Sequence, residues 1–326
     1  MKKTGYGESH AKLILVGEHA VVYGVTAIAI PLKAIRVQAT TSALGNVQNQ
    51  LPQVDFSSEL YTGLLSDAPV DLQNISALVR EFLQRFGQTL KWPQTLQLRV
   101  ESQIPFERGM GSSAAIATAV LKSLIDFSEI TVLTADFNQL IDLEETIQHG
   151  NPSGLDALVV QADQGYFFQR GQHFEPLSLQ LPGYFVIVDS GIPGKTGEAL
   201  KDVAQLRVDQ PELWQRQMDR ISLLAPMVKT LLTQASTRAQ HKFGRLLTEN
   251  QQALQQLQVS TPELDQLIQK LNDAGALGAK LTGGGRGGCV FGYFADLATA
   301  RAAQQQFTEK TWLTKLATES SEQSES

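Results

Sequence analysis

The sequence predicts an α+β protein of two domains, each a sheet with helices packed on it. Three observations carry this prediction. With 326 residues, the chain is long enough for about two domains and a sizeable core. A β-like run at 95–100 (TLQLRV) passes through a glycine- and serine-rich turn into a long apolar helical run at 114–125. Near Leu181 a fresh buried-strand pattern begins, YFVIVD at 184–189, so the expected domains are 1–178 and 179–316.

The remaining elements follow in order. Residues 11–40 read as paired strands: AKLILV at 11–16, a turn carrying Glu18 and His19, VVYG at 21–24, then β patterns at 27–32 and 35–40. Residues 43–70, with scattered Gly, Pro, Asn and Asp, read as a long excursion with short elements. Ile75, Leu78, Val79, Phe82, Leu83 and Phe86 have helical spacing, closed by Gly87. A helix is expected over 135–148, with Thr134 as N-cap and Gly150 as stop. Residues 155–160 and 165–169 read as strands. Residues 198–272 read as helical, followed by strands at 279–282 and 289–294 around a glycine loop, and a helix at 298–307. The polar, acidic end, 317–326, reads as a disordered tail.

Composition excludes several classes. A charged fraction of 18% and an apolar fraction of 42% describe an ordinary soluble protein. The net charge of −6, with no basic stripe, argues against a nucleic-acid partner. The single cysteine, Cys289, rules out internal disulfides and suits a reducing compartment; it reads as a small buried hydrophobe. The N-terminal MKKTGYGESHAK has no apolar h-region, and no apolar run nears the roughly 20 residues that span a bilayer. A cytoplasmic location with no membrane partner is expected.

The chemistry concentrates in a few places. Strand, glycine turn and helix aim free backbone N–H groups at an anion, because the first four N–H groups of a helix lack intrahelical partners and the dipole adds positive charge there. In PFERGMGSSAA (105–115), Gly109 and Gly111 let the backbone approach a ligand closely, and Ser112 and Ser113 add hydroxyls for phosphate or metal. Taken alone, the segment also fits an ordinary N-cap on a core helix. Lys12 stands in an apolar strand, where it needs a wet face or a carboxylate. Glu18 and His19, bracketed by Gly17 and Gly24, suit substrate recognition. Residues 144–156 place Glu144 and Glu145 on a helix, then deliver Asp156 at the start of a strand through a Gly/Asn/Pro/Ser turn. Counting from Phe137, Leu140 and Ile141 puts Glu144 on the apolar side and Glu145 at its flank. The five histidines have no zinc-ligand spacing with cysteine.

Two look-alike motifs fail on context. Residues 190–196 (SGIPGKT) follow a strand as a Walker A loop would, but Asp189 stands where the first glycine belongs and Pro193 lacks an N–H. GGGRGG at 283–288 satisfies G-x-G-x-x-G literally, yet a strand follows it instead of a helix. Its glycines mark a backbone of unusual φ/ψ beside a ligand.

Taken together, AKLILVGEHAVVYG (11–24), PFERGMGSSAA (105–115), HGNPSGLD (149–156) and AKLTGGGRGGC (279–289) resemble, in this order, the motifs of the GHMP small-molecule kinases. GEHAVVYG and HGNPSGLD resemble the mevalonate-phosphorylating branch more than the homoserine, galactose or phosphomevalonate branches. The resemblance implies an N-terminal ribosomal-S5-domain-2-like α/β domain and a C-terminal ferredoxin-like α+β domain. It implies ATP- and Mg²⁺-dependent phosphorylation of the primary hydroxyl of mevalonate to 5-phosphomevalonate, a step of isoprenoid biosynthesis. Asp156 then matches the catalytic base and Lys12 the cation beside it. Gly109, Met110, Gly111, Ser112, Ser113 and Ala114 match the ATP phosphate cradle, and Ser113 with Glu145, eleven residues before Asp156, the Mg²⁺ ligands. Glu18, His19, Ser153, Thr196, Ala279 and Thr282 match the substrate-binding set. A homodimer is compatible with the resemblance. The alternatives are a kinase of another small alcohol, or a ligand-binding relative without the reaction.

Overall fold

The computed structural model describes residues 1–88, 90–149, 154–169, 171 and 174–316. The expected tail, 317–326, and Gly150, the expected helix stop, therefore lie outside the described residues. The chain divides into two compact units: residues 1–12, 31–106 and 111–162 form one, and residues 13–30, 107–110 and 163–326 the other.

The first unit is a mixed sheet with helices packed on it. Its strands come from β1 (Thr4–Val16), β2 (Ala27–Gln48), β3 (Gln53–Ser57), β4 (Thr62–Leu64) and, after α1 (Gln73–Phe86), β5 (Trp92–Ser102). β5 pairs antiparallel with β2, from Val37 opposite Ser102 to Gln48 opposite Trp92, and parallel with β3, while β4 closes the edge beside β3. The two expected strands at 27–32 and 35–40 are thus one long strand. β2 also continues to Gln48, into the expected excursion, because β5 supplies backbone partners that no local pattern reveals.

The helices α2 (Ser112–Ser128), α3 (Thr134–His149) and α4 (Leu155–Val159) complete the unit. α2 is buried nearly all round, from Ala114 to Phe127. It lies directly on β1: a Cβ on Gly7 would sit 2.0 Å from the Ala119 carbonyl, and one on Gly5 2.3 Å from that of Ser123. Hydrogen bonds from Ser9 Oγ to the Ala115 carbonyl (2.6 Å) and between Thr41 Oγ1 and Ser123 Oγ (2.8 Å) fix the contact. Residues 155–160, expected as a strand, form α4 and its C-cap, Val160, instead. Gly154, at φ 74°, starts the turn, and the Val160 N–H donates to the Asp156 carbonyl at 3.1 Å. The β-branched pair Val159 and Val160 gives the segment its strand-like pattern, and Asp156 sits in the first turn of a helix.

In the second unit, Ala27–Ala29 of β2 pair with β6 (Tyr166–Phe168), which pairs with β7 (Glu175–Pro176). β8 (Tyr184–Asp189) starts a four-stranded antiparallel sheet of order β11-β8-β10-β9. The helices α5 (Thr196–Asp209), α6 (Pro211–Leu232), α7 (Thr237–Gln256) and α8 (Pro262–Asp273) precede β9 (Gly278–Leu281) and β10 (Cys289–Phe294); α9 (Leu297–Gln304) and β11 (Thr311–Lys315) end the unit. Every residue of β9 and β10 is buried. Ser236, Thr261 and Asp296 cap α7, α8 and α9 by accepting from the N–H three residues on, each cap being worth about 1 kcal/mol. Among the described residues, no helix is long and apolar enough to cross a membrane.

Candidate active site

In the first unit the site is built on the start of α2. Gly111 is the N-cap, at φ 75°, and the first turn that follows leaves its N–H groups without intrahelical partners. Lys12, the buried lysine of β1, runs beneath it: a Cβ on Gly111 would stand 2.9 Å from Lys12 Cγ and 3.1 Å from Val160 Cγ1. Gly111 thus serves both the turn and the passage of the lysine. Lys12 Nζ ends 3.0 Å from Asp156 Oδ1, with 31% of the Asp156 side chain still exposed. The strand lysine has found its carboxylate.

Beside this pair, Ser113 Oγ donates to Glu144 Oε1 on α3, and Asn74 Nδ2 on α1 donates to Ser113 Oγ (2.8 Å) and to Glu144 Oε1 (2.5 Å). Glu144 is fully buried. Desolvation is the main cause that raises its pKa, the Asp156 charge adds to the rise, and the two hydrogen bonds oppose it. Among the described residues, Glu144 Oε2 and Asn74 Oδ1 are buried with no donor. Two such acceptors cost about 1–3 kcal/mol each when unpaired, and hard oxygen atoms of this kind suit a cation such as Mg²⁺. A Mg²⁺ ion held by one or two carboxylates together with substrate phosphates needs no larger acidic cluster, and among the described residues no three His, Cys, Asp or Glu gather. The helical count that put Glu144 on the apolar side agrees with its burial. The Glu145 side chain and Ser153 lie outside the described residues.

The second unit holds the other candidates. After Gly17 (φ 104°), Glu18 turns inward to Lys280 Nζ and accepts from Asn250 Nδ2 at 3.1 Å, a fully buried pair. His19 follows at φ 60°, a left-handed conformation costly for a side-chain-bearing residue. Its Nε2–H donates to the Gly284 carbonyl at 2.9 Å, since a carbonyl can only accept. Nδ1 is then the bare acceptor of the neutral ring, buried without a partner among the described residues. Burial first, then the nearby Arg286 and Lys280 charges, press the His19 pKa down to about 4, so the ring is neutral at physiological pH.

Glycines hold the surrounding loops in contact. A Cβ on Gly109 would meet the Thr282 carbonyl at 2.4 Å, and one on Gly284 would meet Thr196 Oγ1 at 2.3 Å. Thr282 Oγ1 accepts from the Ile14 N–H at 3.2 Å. His19, Thr196 and Thr282 therefore border one glycine loop. Ala279 lies apart, buried in β9 opposite Gly292. The rejected Walker-like stretch braces the turn at 107–110: Arg108 Nε sits 2.8 Å from Asp189 Oδ1, and the Gly194 N–H donates to the Glu107 carbonyl at 2.7 Å. Met110 Sδ packs 3.4 Å from Cys289 Sγ, whose thiol burial pushes well up, so Cys289 is a packing residue.

The sequence did not single out Asn74, Lys280 or Asn250, which bond to the candidate residues Ser113, Glu144 and Glu18. Asn74 carried a signal: it stands four residues before Leu78 and eight before Phe82, on the apolar stripe of α1. Lys280 and Asn250 carried none, since their partner lies 262 and 232 residues away.

The family model "GHMP kinases N terminal domain" matches residues 74–162, and "GHMP kinases C terminal" matches 231–312. The mevalonate kinase of Archaeoglobus fulgidus is 30% identical over 284 residues, covering 87% of this chain and 90% of its own. That of Thermococcus gammatolerans is 29% identical over 297 residues, covering 86% of each. Among solved structures, L. major mevalonate kinase in complex with R-mevalonate shares the fold, with a TM-score of 0.80 at 23% identity over 97% of each chain. Mevalonate kinase from methicillin-resistant Staphylococcus aureus MRSA252 gives 0.69 at 28% identity, covering 97% of this chain and 99% of that one. The chain belongs to the GHMP kinase family, and these relatives are mevalonate kinases.

Proposed function

We propose that the protein transfers the γ-phosphoryl group of ATP to the primary hydroxyl of mevalonate, with Mg²⁺, giving ADP and 5-phosphomevalonate. The observation that carries this reading is the Lys12–Asp156 pair beneath the glycine start of α2. Asp156 accepts the hydroxyl proton as that oxygen attacks phosphorus. Lys12 offsets the negative charge that builds on the transferring oxygens. The N–H groups of Ser112, Ser113 and Ala114 hold the phosphate tail, with Gly109, Met110 and Gly111 forming its cradle. Ser113 and Glu144 would hold Mg²⁺, which when bound supplies positive charge against the phosphate oxygens. The motif register points to Glu145 for that role. What supports Glu144 is its hydrogen bond with Ser113 and its second oxygen, unpaired among the described residues.

Neutral His19 takes a substrate hydroxyl at Nδ1, while Glu18, locked to Lys280, holds the turn that presents it. Thr196 and Thr282 line the same loop, and Ser153 joins them by motif register. Positioning and charge supply most of the catalysis in phosphoryl transfer.

The test is ADP release in a coupled assay with Mg²⁺ and, in turn, mevalonate, phosphomevalonate, homoserine and galactose. Turnover with mevalonate is expected. Turnover with another alcohol and none with mevalonate overturns the substrate assignment. Calorimetric binding of mevalonate without turnover of any alcohol favours a ligand-binding relative.

A further inference from the structure

Asn74 is a buried polar residue on the apolar stripe of α1, 3% exposed. Neither the family motifs nor the catalytic reading gives it a role. Its amide nitrogen has two hydrogens, and both are used: one goes to Ser113 Oγ at 2.8 Å, the other to Glu144 Oε1 at 2.5 Å. Ser113 Oγ in turn donates to the same Glu144 oxygen, which closes a triangle of Oγ, Oε1 and Nδ2. Removing the amide breaks two of its three sides and frees both the Ser113 rotamer and the carboxylate plane. The second oxygens outside this triangle, Glu144 Oε2 and Asn74 Oδ1, are both acceptors, both buried and both without a donor among the described residues. A buried acceptor of this kind calls for an ion or an ordered water, and two of them on bonded neighbours call for a cation and its hydration.

We propose that Asn74 is a positioning residue of the cation site: its amide N–H groups fix Ser113 Oγ and the Glu144 carboxylate in the geometry that receives Mg²⁺. The inference rests on the cation reading above. An amide suits the task because it donates twice in one plane yet carries no charge that competes with the metal. Outer partners that orient metal ligands are typically worth 10- to 100-fold in affinity.

The experiment reads cation binding without turnover: Mn²⁺ titrated against the enzyme with saturating ADP, followed by electron paramagnetic resonance. Asn74→Leu and Asn74→Ser are compared with Ser113→Ala and Glu144→Gln. Asn74→Ser keeps a polar group but cannot bridge both oxygens, and it carries the same expectation should Asn74→Leu fail to fold. Either Asn74 variant should raise the Mn²⁺ dissociation constant about tenfold or more. ADP affinity without metal should stay within about twofold. In turnover, the Mg²⁺ activation constant should rise by a similar factor, with kcat recovered at high Mg²⁺, a shift that a merely structural residue would not produce. Mn²⁺ affinity within about twofold of the parent in a folded Asn74 variant, while Ser113→Ala or Glu144→Gln loses tenfold, overturns the role of Asn74 alone. Unchanged Mn²⁺ affinity in all four variants overturns the cation assignment and the inference with it.

Discussion

Replacing Asp156 with asparagine should damage stability and activity together, for two separable reasons. Lys12 is 2% exposed, and its Nζ lies 3.0 Å from the Asp156 carboxylate. The neutral amide of the Asp156→Asn variant leaves that ammonium buried without its counter-charge. Breaking a buried pair typically costs about 3–5 kcal/mol. Because 31% of the Asp156 side chain is exposed, water screens part of the interaction, so about 2–3 kcal/mol is expected here. For a chain of 326 residues that lowers Tm by roughly 3–4 °C. The same change removes the proton acceptor, which should cut kcat by about 10²–10⁴-fold with ATP binding retained. A second substitution separates the effects. Lys12→Met in the Asp156→Asn background removes the stranded charge, so melting should recover by most of the loss while kcat stays low or falls further. Differential scanning fluorimetry and the coupled ADP assay read the two quantities. A double variant no more stable than Asp156→Asn refutes the buried-charge argument, and near-normal turnover by Asp156→Asn refutes the base.

Three further perturbations test neighbouring parts of the argument. Gly111→Ala places a methyl 2.9 Å from Lys12 Cγ in a left-handed turn, so it should cost about 1–2 kcal/mol of stability, and displacement of Lys12 should lower kcat by at least about tenfold; an unchanged kcat in urea-calibrated, folded protein contradicts the packing. Gly7→Ala drives a methyl to 2.0 Å from the Ala119 carbonyl, and chemical denaturation should show a loss of about 3 kcal/mol as β1 and α2 separate; less than 1 kcal/mol would mean the contact is looser than described. His19 has its folded pKa pressed below the unfolded value of about 6.5, so the unfolded chain binds the extra proton. Stability should therefore hold above pH 6.5 and fall as pH drops toward about 4, by about 3 kcal/mol from this group. His19→Gln should flatten the urea-melt profile across that window, and an unaltered slope would show that the ring already titrates normally.

Much of the fold was legible because it is written in local periodicity. The helical stripe of α1, the all-round apolar α2 and the buried run of β8 each name their element without outside help. Where the local signal is ambiguous, distant partners decided. Leu155–Val159 became α4, with Val160 as its C-cap, since the Gly154 turn starts a helix and, among the described residues, nothing pairs there as a strand. β2 extends to Gln48 because β5 lies beside it. The choice between Glu144 and Glu145 was divided between motif register and helical counting. The described hydrogen bonds involve Glu144, on the face that packs toward Ser113 and Asn74.

From the chain alone came the kinds of chemistry available: a glycine turn opening a buried helix, a lysine too costly to bury unpaired, and acidic residues ahead of a tight turn. Those follow from propensity and from the penalty on buried charge, which act within a few residues. Only the tertiary structure decided which groups answer one another. Lys12 meets Asp156, Asn74 joins Ser113 to Glu144, and Glu18 is bound to Lys280, because hydrogen bonds and ion pairs reach only about 3 Å through space and are indifferent to separation along the sequence.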